Sequence, residues 1–504
     1  MSPFRAGMTT TLRLRVDDRV APDAIDMLDL LDRLAAQPGD IALLHTAGTA
    51  GTRPGPSVLA HRPLITFCAR RRGVKCRVEL EAIPMIQTEL PEIPGEPIEI
   101  GQALDLWQRL MNEVRFVSPA PIPDLVGWIG FVSYDAGMML ELPQLFADIA
   151  APAPLLRWQI FSEYYLWDAP ERNCRLLLVS AIPPAISQSR WPSGLGRVGN
   201  RRRNTSEPVR MEYIESPAGG AEPTGPMATA FPGEYPVPQE YEGQVRRALE
   251  YISAGDIYQA NLADRWVLPL RQRPEHLYRR MSRISPGEYG AFVRFANEAI
   301  ASISPELFLR RRGDRIYTRP IKGTRARPAV DSPADQALAC DLLASEKDQA
   351  ELAMIVDLLR NDLGRICRPG GVRVDSSRQL EALPTLWHTS ASVSGRLRSD
   401  KMGWNEIIRA TCPGGSITGV PKIRAMQIIG ELEAVPRGIY CGNIGWIGPE
   451  GDGALNIAIR TAHLTGDRVT FCGGAGIVAQ SDPVREYAEI GAKVQALVAA
   501  AMEP

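Results

Sequence analysis

The sequence has few of the residues and patterns that metal-binding and membrane proteins need. Its 504 residues include only five histidines, and neither an H-E-x-x-H pattern nor a C-x-x-C pair occurs, so a zinc site is not expected. The eight cysteines are scattered, which is typical of buried thiols in a reducing compartment rather than of a disulfide framework. No apolar run reaches the roughly 18 residues of a transmembrane helix, so we expect no membrane contact.

An excess of charge of one sign is also absent. Lys plus Arg total 57 and Asp plus Glu total 58, which gives a formal net charge of -1. This balance provides no overall attraction to nucleic acid or to an anionic membrane, and neither is expected as a partner. The start of the chain, MSPFRAGMTTTLRLRV, lacks the apolar segment of a secretory signal. We therefore expect a cytoplasmic protein.

The chain is long for a single hydrophobic core, so we expect two or more lobes. Residues 1–185 contain strand-like runs and form the predicted N-terminal lobe. Residues 186–235 are dominated by Gly, Pro, Ser, Arg and Glu without a lasting period, which predicts a linker or loop. Residues 236–504 are the predicted catalytic domain, where strand hairpins are followed by amphipathic helices. That order favours an α+β fold over an alternating parallel sheet.

Two predicted helices each carry two acids three residues apart. Asp348 and Glu351 lie in ASEKDQAELAMIVDLLRNDLG, and Glu486 and Glu489 lie in SDPVREYAEIGAKVQALVAAAM. Residues at this spacing share a helix face, and a solvated acidic face is the ordinary interpretation of such a pair. The second pair, however, follows a glycine cluster at 473–476, where the backbone can approach a ligand closely. Four carboxylates from two helices would suit Mg²⁺.

Two basic residues, Lys322 and Arg460, each have an ordinary and a functional interpretation. Lys322, in TRPIKGTRAR, is either a solvated surface charge or, if desolvated or crowded by cations, a nucleophile with a lowered pKa. Arg460 ends the apolar run ALNIAIR, predicted as a strand, and is either a surface arginine or a bidentate partner for a carboxylate. The local sequence does not decide between these interpretations.

Two glycine-rich segments resemble nucleotide-binding loops only superficially. GGAGIVA has the spacing of a dinucleotide fingerprint, but no second strand or ribose-binding acid follows it. In GGSITGVPK a proline separates the glycines from the lysine, so the phosphate-loop spacing is missing. Neither segment predicts a nucleotide site.

From residue 240 onward the chain resembles the chorismate-utilising enzyme family, which comprises anthranilate, aminodeoxychorismate, isochorismate and salicylate synthases. The resemblance rests on these segments, in order: GDIYQANL (255–262), SPELFL (304–309), PIKGTRAR (320–327), SEKDQAELAMIVDLLRNDLGRIC (345–367), PGGSITGVPKIRAM (413–426), GIYCGNIGW (438–446), IAIRT (457–461) and GGAGIVAQSDPVREYAEIGAKV (473–494). It implies an α+β fold of two interleaved lobes of packed β-sheets with outer helices, and an active site between the lobes.

Within this family the PIKGT segment resembles that of the aminodeoxychorismate synthases, whereas anthranilate synthases carry PIAGT, with alanine in place of Lys322. The resemblance implies conversion of chorismate and ammonia to 4-amino-4-deoxychorismate, for 4-aminobenzoate and folate. Lys322 would attack C2 of chorismate while water leaves C4, and ammonia would then add at C4 and expel the lysine. The alternatives are an anthranilate synthase component I and a non-catalytic binding protein with the same fold.

The resemblance also implies roles for individual residues. Glu306 would be the general acid or base, with a pKa raised by burial, and His388 would be the active-site histidine. Residues implied to hold the substrate are Thr324, Tyr440, Arg460, Gly476 and Lys493. Residues implied to bind Mg²⁺ are Glu351 and Glu489 directly, with Asp348 and Glu486 acting through the metal's waters.

A glutaminase is not expected within this chain. Such an activity would need a cysteine on a G-x-C-x-G turn and an H-x-E pair, and the sequence contains neither. Ammonia is therefore expected from solution or from a separate glutamine amidotransferase subunit.

Overall fold

The computed structural model describes residues 12–20, 26–46, 56–87, 90–149, 153–167, 174–182, 237–327, 332–382 and 386–502. The described strands before residue 183 are β1 (Leu12–Val20), β2 (Ile41–His45), β3 (Ser57–Arg72), β4 (Lys75–Ala82), β5 (Val114–Val117), β6 (Trp128–Val132), β7 (Pro154–Trp167) and β8 (Cys174–Ala181). The helices of this segment are α1 (Met27–Ala35), α2 (Pro84–Gln87), α3 (Ile100–Glu113) and α4 (Tyr134–Glu141).

The segment from residue 237 onward carries the remaining described elements. Its strands are β9 (Gln259–Pro269), β10 (Tyr289–Phe295), β11 (Glu298–Ser304), β12 (Leu307–Arg312), β13 (Arg315–Arg319), β14 (Ile321–Ala326), β15 (Arg373–Ala382), β16 (Leu386–Arg396), β17 (Gly419–Val420), β18 (Asn443–Ile447), β19 (Gly453–Asn456), β20 (Thr461–Thr465) and β21 (Arg468–Ile477). Its helices are α5 (Gln239–Ser253), α6 (Pro274–Ile284), α7 (Pro333–Ala344), α8 (Glu346–Gly364), α9 (Trp404–Thr411), α10 (Lys422–Leu432) and α11 (Pro483–Met502).

The strands form two sheet arms that share the long strands β3 and β7. The first arm runs β4–β3–β7–β6–β18–β19–β12–β13–β16, and both β14 and β15 pair with β16. The second arm runs β5–β1–β8–β7–β3–β2–β10–β11–β20–β21–β9–β17. All these pairs are antiparallel except β1 with β5. The expected α+β architecture of large sheets with helices is therefore confirmed.

Two hydrophobic cores hold the arms and helices in place. In the first core the buried rings of Phe131 in β6 and Phe295 in β10 lie 5.8 Å apart, so this core joins the two arms. In the second core, helices including α5, α6, α10 and α11 pack against the second arm, and the rings of Tyr241 and Tyr487 lie 5.3 Å apart. Burial of these apolar side chains is the main favourable contribution to folding.

The two predicted lobes share both arms. Strand β6 pairs with β18 in the first arm, and β2 pairs with β10 in the second, so strands from both ends of the chain interleave. The predicted linker, 186–235, and its boundaries lie outside the described residues and stay predictions. No helix in the described part of the chain is both long enough and apolar enough to cross a membrane.

The local structure around Arg460 differs from the prediction. The run ALNIAIR was expected to be one strand, but β19 ends at Asn456 and Arg460 has a left-handed φ of 49°. Tertiary hydrogen bonds explain the change, because Ile457 N–H donates to Glu306 O and Ala458 N–H donates to Gly442 O. Non-glycine residues with such a φ are uncommon and are found mainly in turns and at functional sites.

Candidate active site

An ion pair between β14 and α8 lies at the centre of the predicted site. Lys322 Nζ lies 2.6 Å from Glu351 Oε1, and the two side chains are only 13% and 14% exposed. Burial by itself lowers the pKa of Lys322, but the Glu351 carboxylate raises it, and the net pKa lies above the ordinary value. Burial likewise raises the pKa of Glu351 while Lys322 lowers it, and the net shift is downward. Each charge therefore stabilises the other.

A bulge in β14 brings this strand close to the start of α8. Gly323 has a φ of 71°, and a Cβ built there would meet Asp348 Cβ at 3.0 Å. A glycine is required at this position because the backbone is left-handed and the helix leaves no room for a side chain. This close approach places Lys322 within reach of Glu351, one turn further along α8.

Gln259 and Gly476 complete the surroundings of the Glu351 carboxylate. Gln259, the first residue of β9, donates from Nε2 to Glu351 Oε1 over 2.7 Å. A Cβ built on Gly476 in the neighbouring strand β21 would lie 2.2 Å from Gln259 Nε2 and 2.8 Å from Glu351 Oε1. The glycine cluster thus continues a strand, and Gly476 leaves the space that both polar side chains occupy.

Glu306, between β11 and β12, has the environment expected of a general acid. Its side chain is buried, and Ser416 Oγ donates to Oε1 over 2.7 Å. Burial raises the pKa of Glu306 from 4.5 to about 7, against smaller opposing effects of Ser416 and the Lys322 charge. The raised pKa agrees with the prediction from the resemblance, since a group titrating near neutrality can both hold and release a proton.

The second acidic pair lies on α11, as the sequence predicted. Glu489 lies 2.7 Å from Lys493 Nζ, and the same ammonium donates to Gly474 O over 2.9 Å. Glu486 is buried, accepts from Ser481 Oγ over 2.6 Å, and has a pKa raised by burial. Glu489 is half-exposed. Lys493 therefore links the helix to the glycine-rich strand.

The four acids of α8 and α11 do not converge into one preformed cluster. Within the described ranges, no group of three or more His, Cys, Asp or Glu side chains is placed to hold a metal ion. Each acid has a cationic neighbour instead. The four pairs are Glu351 with Lys322, Asp348 with Arg325 (3.2 Å), Glu489 with Lys493 and Glu486 with Lys347 (3.5 Å).

The donor chemistry nevertheless suits Mg²⁺. All the candidate donors are carboxylate oxygens, and Mg²⁺ in proteins commonly takes only one or two carboxylates, with water and substrate oxygens completing its shell. Glu351 and Glu489 could supply two such ligands, but Lys322 and Lys493 would have to give up their ion pairs. The predicted magnesium site therefore stays a prediction.

His388 and Thr324 lie opposite each other where β14 pairs with β16. His388 is buried and its Nε2 lies 3.1 Å from Glu381 Oε2, whereas Thr324 is exposed. Burial alone would raise the pKa of Glu381, but hydrogen bonds from His388 and Ser390 lower it to about 2. Glu381 is therefore an ionised partner that fixes the imidazole of His388.

Tyr440 and Arg460 lie on two segments that are joined by a backbone hydrogen bond from Cys441 N–H to Ala458 O. Tyr440 is buried, and its hydroxyl would lie 3.0 Å from a Cβ on Gly474, so this glycine also makes room for a polar side chain. Burial lowers the pKa of the Arg460 guanidinium, and none of the described carboxylates forms an ion pair with it. A desolvated guanidinium in this state is suited to an anionic ligand.

The structure adds three residues that the sequence analysis did not identify. Gln259 contacts Glu351, Ser416 contacts Glu306, and Glu381 contacts His388. Gln259 and Ser416 lie inside GDIYQANL and PGGSITGVPKIRAM, two of the segments that resemble the family, and this position could have identified them from the sequence. Glu381 lies in an otherwise unremarked strand, and nothing in its local sequence distinguishes it.

Taken together, the predicted site residues include a buried amine, a buried carboxyl that titrates near neutrality, four ion-paired acids and a guanidinium without an ion-pair partner among the described residues. An amine can act as a nucleophile once deprotonated, and the carboxyl can protonate a leaving group. The guanidinium and any bound cation would attract a substrate that carries carboxylates. This arrangement can support substitution chemistry on a small anionic substrate.

The chain is similar to known proteins over most of its length. Residues 88–499 match the family described as chorismate binding enzyme. The chain is similar to anthranilate synthase component 1 1 of Haloarcula marismortui, with 36% identity over 81% of this chain and 82% of that protein. It is also similar to aminodeoxychorismate synthase component 1 of Bacillus subtilis, with 34% identity over 73% and 75% of the two chains.

The fold is similar to the crystal structure of anthranilate synthase component I from Streptococcus pneumoniae. The TM-score is 0.63 at 25% identity, over 95% of this chain and 99% of that chain. The family match covers most of the chain, and the similarity in fold extends over nearly all of it. The chain therefore belongs to the chorismate binding enzyme family.

Proposed function

We propose that this enzyme converts chorismate and ammonia to 4-amino-4-deoxychorismate, with Lys322 as a covalent nucleophile. The observation that carries the proposal is the placement of Lys322. Its amine is buried beside Glu351, and its charge also interacts with that of Glu306. An ordinary surface lysine would be exposed to water. Lys322 is instead desolvated between two carboxyl groups, which can determine whether its amine is protonated.

The proposed reaction consists of two displacements. Neutral Lys322 forms a bond to C2 of the ring, and both conjugated ring double bonds shift by one position towards C4. The C4–O bond breaks, and the hydroxyl leaves as water with a proton from Glu306. Ammonia then forms a bond to C4, both double bonds shift back, and the C2–N bond breaks so that Lys322 leaves with its electron pair as the free amine. Glu306 suits the first step because its pKa of about 7 lets it hold the proton near neutral pH.

The ion pair with Glu351 sets a condition on this reaction. While Glu351 lies 2.6 Å from Lys322, the pair holds the proton on the amine, and a protonated amine has no lone pair for attack. Lys322 therefore becomes nucleophilic only when this contact opens. In the proposal, Glu351 and Glu489 would hold Mg²⁺, with Asp348 and Glu486 acting through its waters, and the metal when bound would supply a positive charge for a carboxylate of chorismate.

The other candidate residues are assigned to substrate binding. Arg460 is proposed to bind a carboxylate of chorismate, since its guanidinium is desolvated and unpaired among the described residues. His388, fixed by Glu381, is proposed to lie near C4. The remaining proposed substrate contacts are Thr324, Tyr440, Gly476 and Lys493. The product would serve 4-aminobenzoate and folate synthesis in the cytoplasm.

Anthranilate synthesis is the second candidate function. It is favoured by the similarity to the Haloarcula marismortui protein named anthranilate synthase component 1 1. In that reaction ammonia would attack C2 directly and pyruvate would leave, so no lysine nucleophile would be needed. Lys322 at the centre of the site favours the amination at C4. In either case ammonia is proposed to come from a separate glutamine amidotransferase subunit.

The test is incubation of the purified chain with chorismate and Mg²⁺ but without ammonia. We expect an adduct of chorismate minus water on Lys322, detected by intact mass and peptide mapping. Lys322→Ala and Lys322→Arg should both lack it, because guanidinium stays protonated and is not nucleophilic. Lys401→Ala, at an exposed lysine, is the control and should keep the adduct.

With ammonium added, wild-type enzyme should release 4-amino-4-deoxychorismate. Anthranilate as the wild-type product would refute the assignment in favour of the second candidate. Absence of any adduct, together with appreciable activity in Lys322→Arg, would refute the covalent mechanism. No turnover with any ammonium salt would instead indicate a non-catalytic binding protein of the same fold.

A further inference from the structure

A cavity of about 720 Å³ lined with arginines opens on the first arm, away from the candidate active site. Its walls come from β12, β13, β15, β16 and the turn before β15. Five guanidiniums line it, from Arg310, Arg312, Arg315, Arg373 and Arg396. None of the residues assigned to chorismate chemistry is among its lining residues.

The strand register places these arginines on one face in adjacent rungs. In one rung Arg312 lies opposite Arg315, which in turn lies opposite Arg396. Residues directly opposite each other in antiparallel strands point to the same face, with Cβ atoms about 5 Å apart. Three like charges therefore follow one another across three strands.

The next rung repeats the pattern with polar groups between the charges. Arg310 lies opposite Tyr317, Tyr317 lies opposite Ser394, and Ser394 lies opposite Arg373. Tyr317 is half-buried, and its hydroxyl donates to Ser392 Oγ over 3.1 Å, which fixes the ring between the two arginines. The cavity thus has cationic sides and an aromatic element in its wall.

Asp375 is the one acid among the lining residues, so most of this positive charge is not balanced. Arg312 pairs with Asp124 and lies 3.7 Å from Asp452, but no described carboxylate forms an ion pair with the other four arginines. Like charges placed directly opposite each other destabilise a sheet. The chain as a whole has a net charge of only -1, so this concentration is local. An anionic ligand would remove the repulsion.

We infer that this cavity binds a small molecule carrying two or more phosphate groups. The volume lies in the range of small-molecule sites, which is about 300–1,000 Å³. Guanidinium forks bind phosphate oxygens bidentately, and several of them on adjacent rungs match a chain of phosphates. A concave cavity of this size suits a compact polyanion better than a long polymer. The ligand is either an inorganic oligophosphate or a nucleoside triphosphate, whose base the Tyr317 ring could contact.

The experiment is calorimetric titration of the full chain with inorganic triphosphate and, separately, with ATP, at constant ionic strength. We expect saturable binding to wild type and binding weaker by about tenfold or more in Arg315→Gln/Arg396→Gln. Arg398→Gln is the matched control, because Arg398 is exposed near the end of the same strand but does not line the cavity. Thermal melting should show that the double variant is folded, since it removes a repulsion.

Tyr317→Ala separates the two sources of phosphate. If Tyr317→Ala binds ATP more weakly than wild type does but binds triphosphate as well as wild type, the cavity is a nucleotide site. If the variant binds each ligand as well as wild type does, the cavity is an oligophosphate site. The inference is overturned if triphosphate does not bind wild type or binds the double variant equally well. It is also overturned if oligonucleotides displace triphosphate with an affinity that rises with their length, because the face would then be a nucleic-acid surface.

Discussion

Replacing Gly476 with alanine should damage the site although it changes none of the charged residues themselves. The added Cβ would lie 2.2 Å from Gln259 Nε2 and 2.8 Å from Glu351 Oε1. Ordinary contacts begin near 3.4 Å, so the Gln259 amide has to retreat by about 1.2 Å. That movement breaks its 2.7 Å hydrogen bond to Glu351 and also displaces the carboxylate that pairs with Lys322.

The size of the effect follows from the bond that is lost. A hydrogen bond to a charged group contributes about 1.5–3 kcal/mol. If the positioned carboxylate is needed for the reaction, kcat/KM should fall roughly 10- to 100-fold, since about 1.4 kcal/mol corresponds to a factor of ten. Gln259 Oε1 has no hydrogen-bond partner among the described residues, so the bond from Nε2 to Glu351 is the one that positions this amide.

Steady-state rates with chorismate, Mg²⁺ and ammonium would measure this loss, and thermal melting would show that Gly476→Ala remains folded. Gly364→Ala is the matched control, because this glycine at the end of α8 has nothing within 4 Å of an added Cβ. The double variant Gly476→Ala/Gln259→Ala should be no worse than Gly476→Ala, since the nearest clash is gone. A folded Gly476→Ala enzyme with wild-type kcat/KM would refute the proposed role of the Gln259–Glu351 contact.

Three further predictions concern titration, metal and nitrogen source. Burial raises the pKa of Glu306 from 4.5 to about 7, so the folded state keeps this proton and loses stability as the pH rises between those values. Glu306→Gln should remove this pH-dependent loss in the free energy of unfolding, which is roughly 3 kcal/mol at most. Urea unfolding at several pH values measures it, and the same pH dependence in wild type and variant would contradict the prediction. Glu351→Gln or Glu489→Gln should weaken activity and its Mg²⁺ dependence far more than Asp348→Asn does. If a magnesium titration shows equally small effects in all three variants, the proposed metal site is wrong. The purified chain should use ammonium salts, increasingly at alkaline pH where free NH₃ is more abundant, and product formation from glutamine alone would reveal a glutaminase that the sequence does not predict.

Local sequence was sufficient for the elements that carry the acids. Asp348 and Glu351 lie on a helix that begins at a Ser345 cap and ends at Gly364, as the helical spacing predicted. Glu486 and Glu489 likewise lie on the predicted C-terminal helix. Such patterns depend on neighbours three or four residues apart, so they are visible without the fold. The family itself was also identifiable, because many segments matched in order.

The state of each charge depended on contacts between distant parts of the chain. The sequence showed Lys322 among arginines, but its closest partner is Glu351, and Gln259 reaches the same carboxylate from 92 residues away. The predicted four-acid cluster is instead a set of ion pairs. Glu489 pairs with Lys493 in the same helix, but the other three pairs join different elements. Local periodicity cannot report such pairs, since it contains no information about which elements meet.

The backbone at Arg460 and the arginine cavity also could not be predicted from local sequence. An apolar run predicted a strand through Arg460, but hydrogen bonds to Glu306 and Gly442 pull the chain out of the sheet after Asn456. The cavity is formed by four strands whose rungs place Arg315 opposite Arg396, 81 positions apart in the sequence. The sequence by itself determined the helices that carry the acids, the family and the residues available for chemistry. Strand register and burial, which arise only when the whole chain has folded, decided which of these residues meet and which charges remain unbalanced.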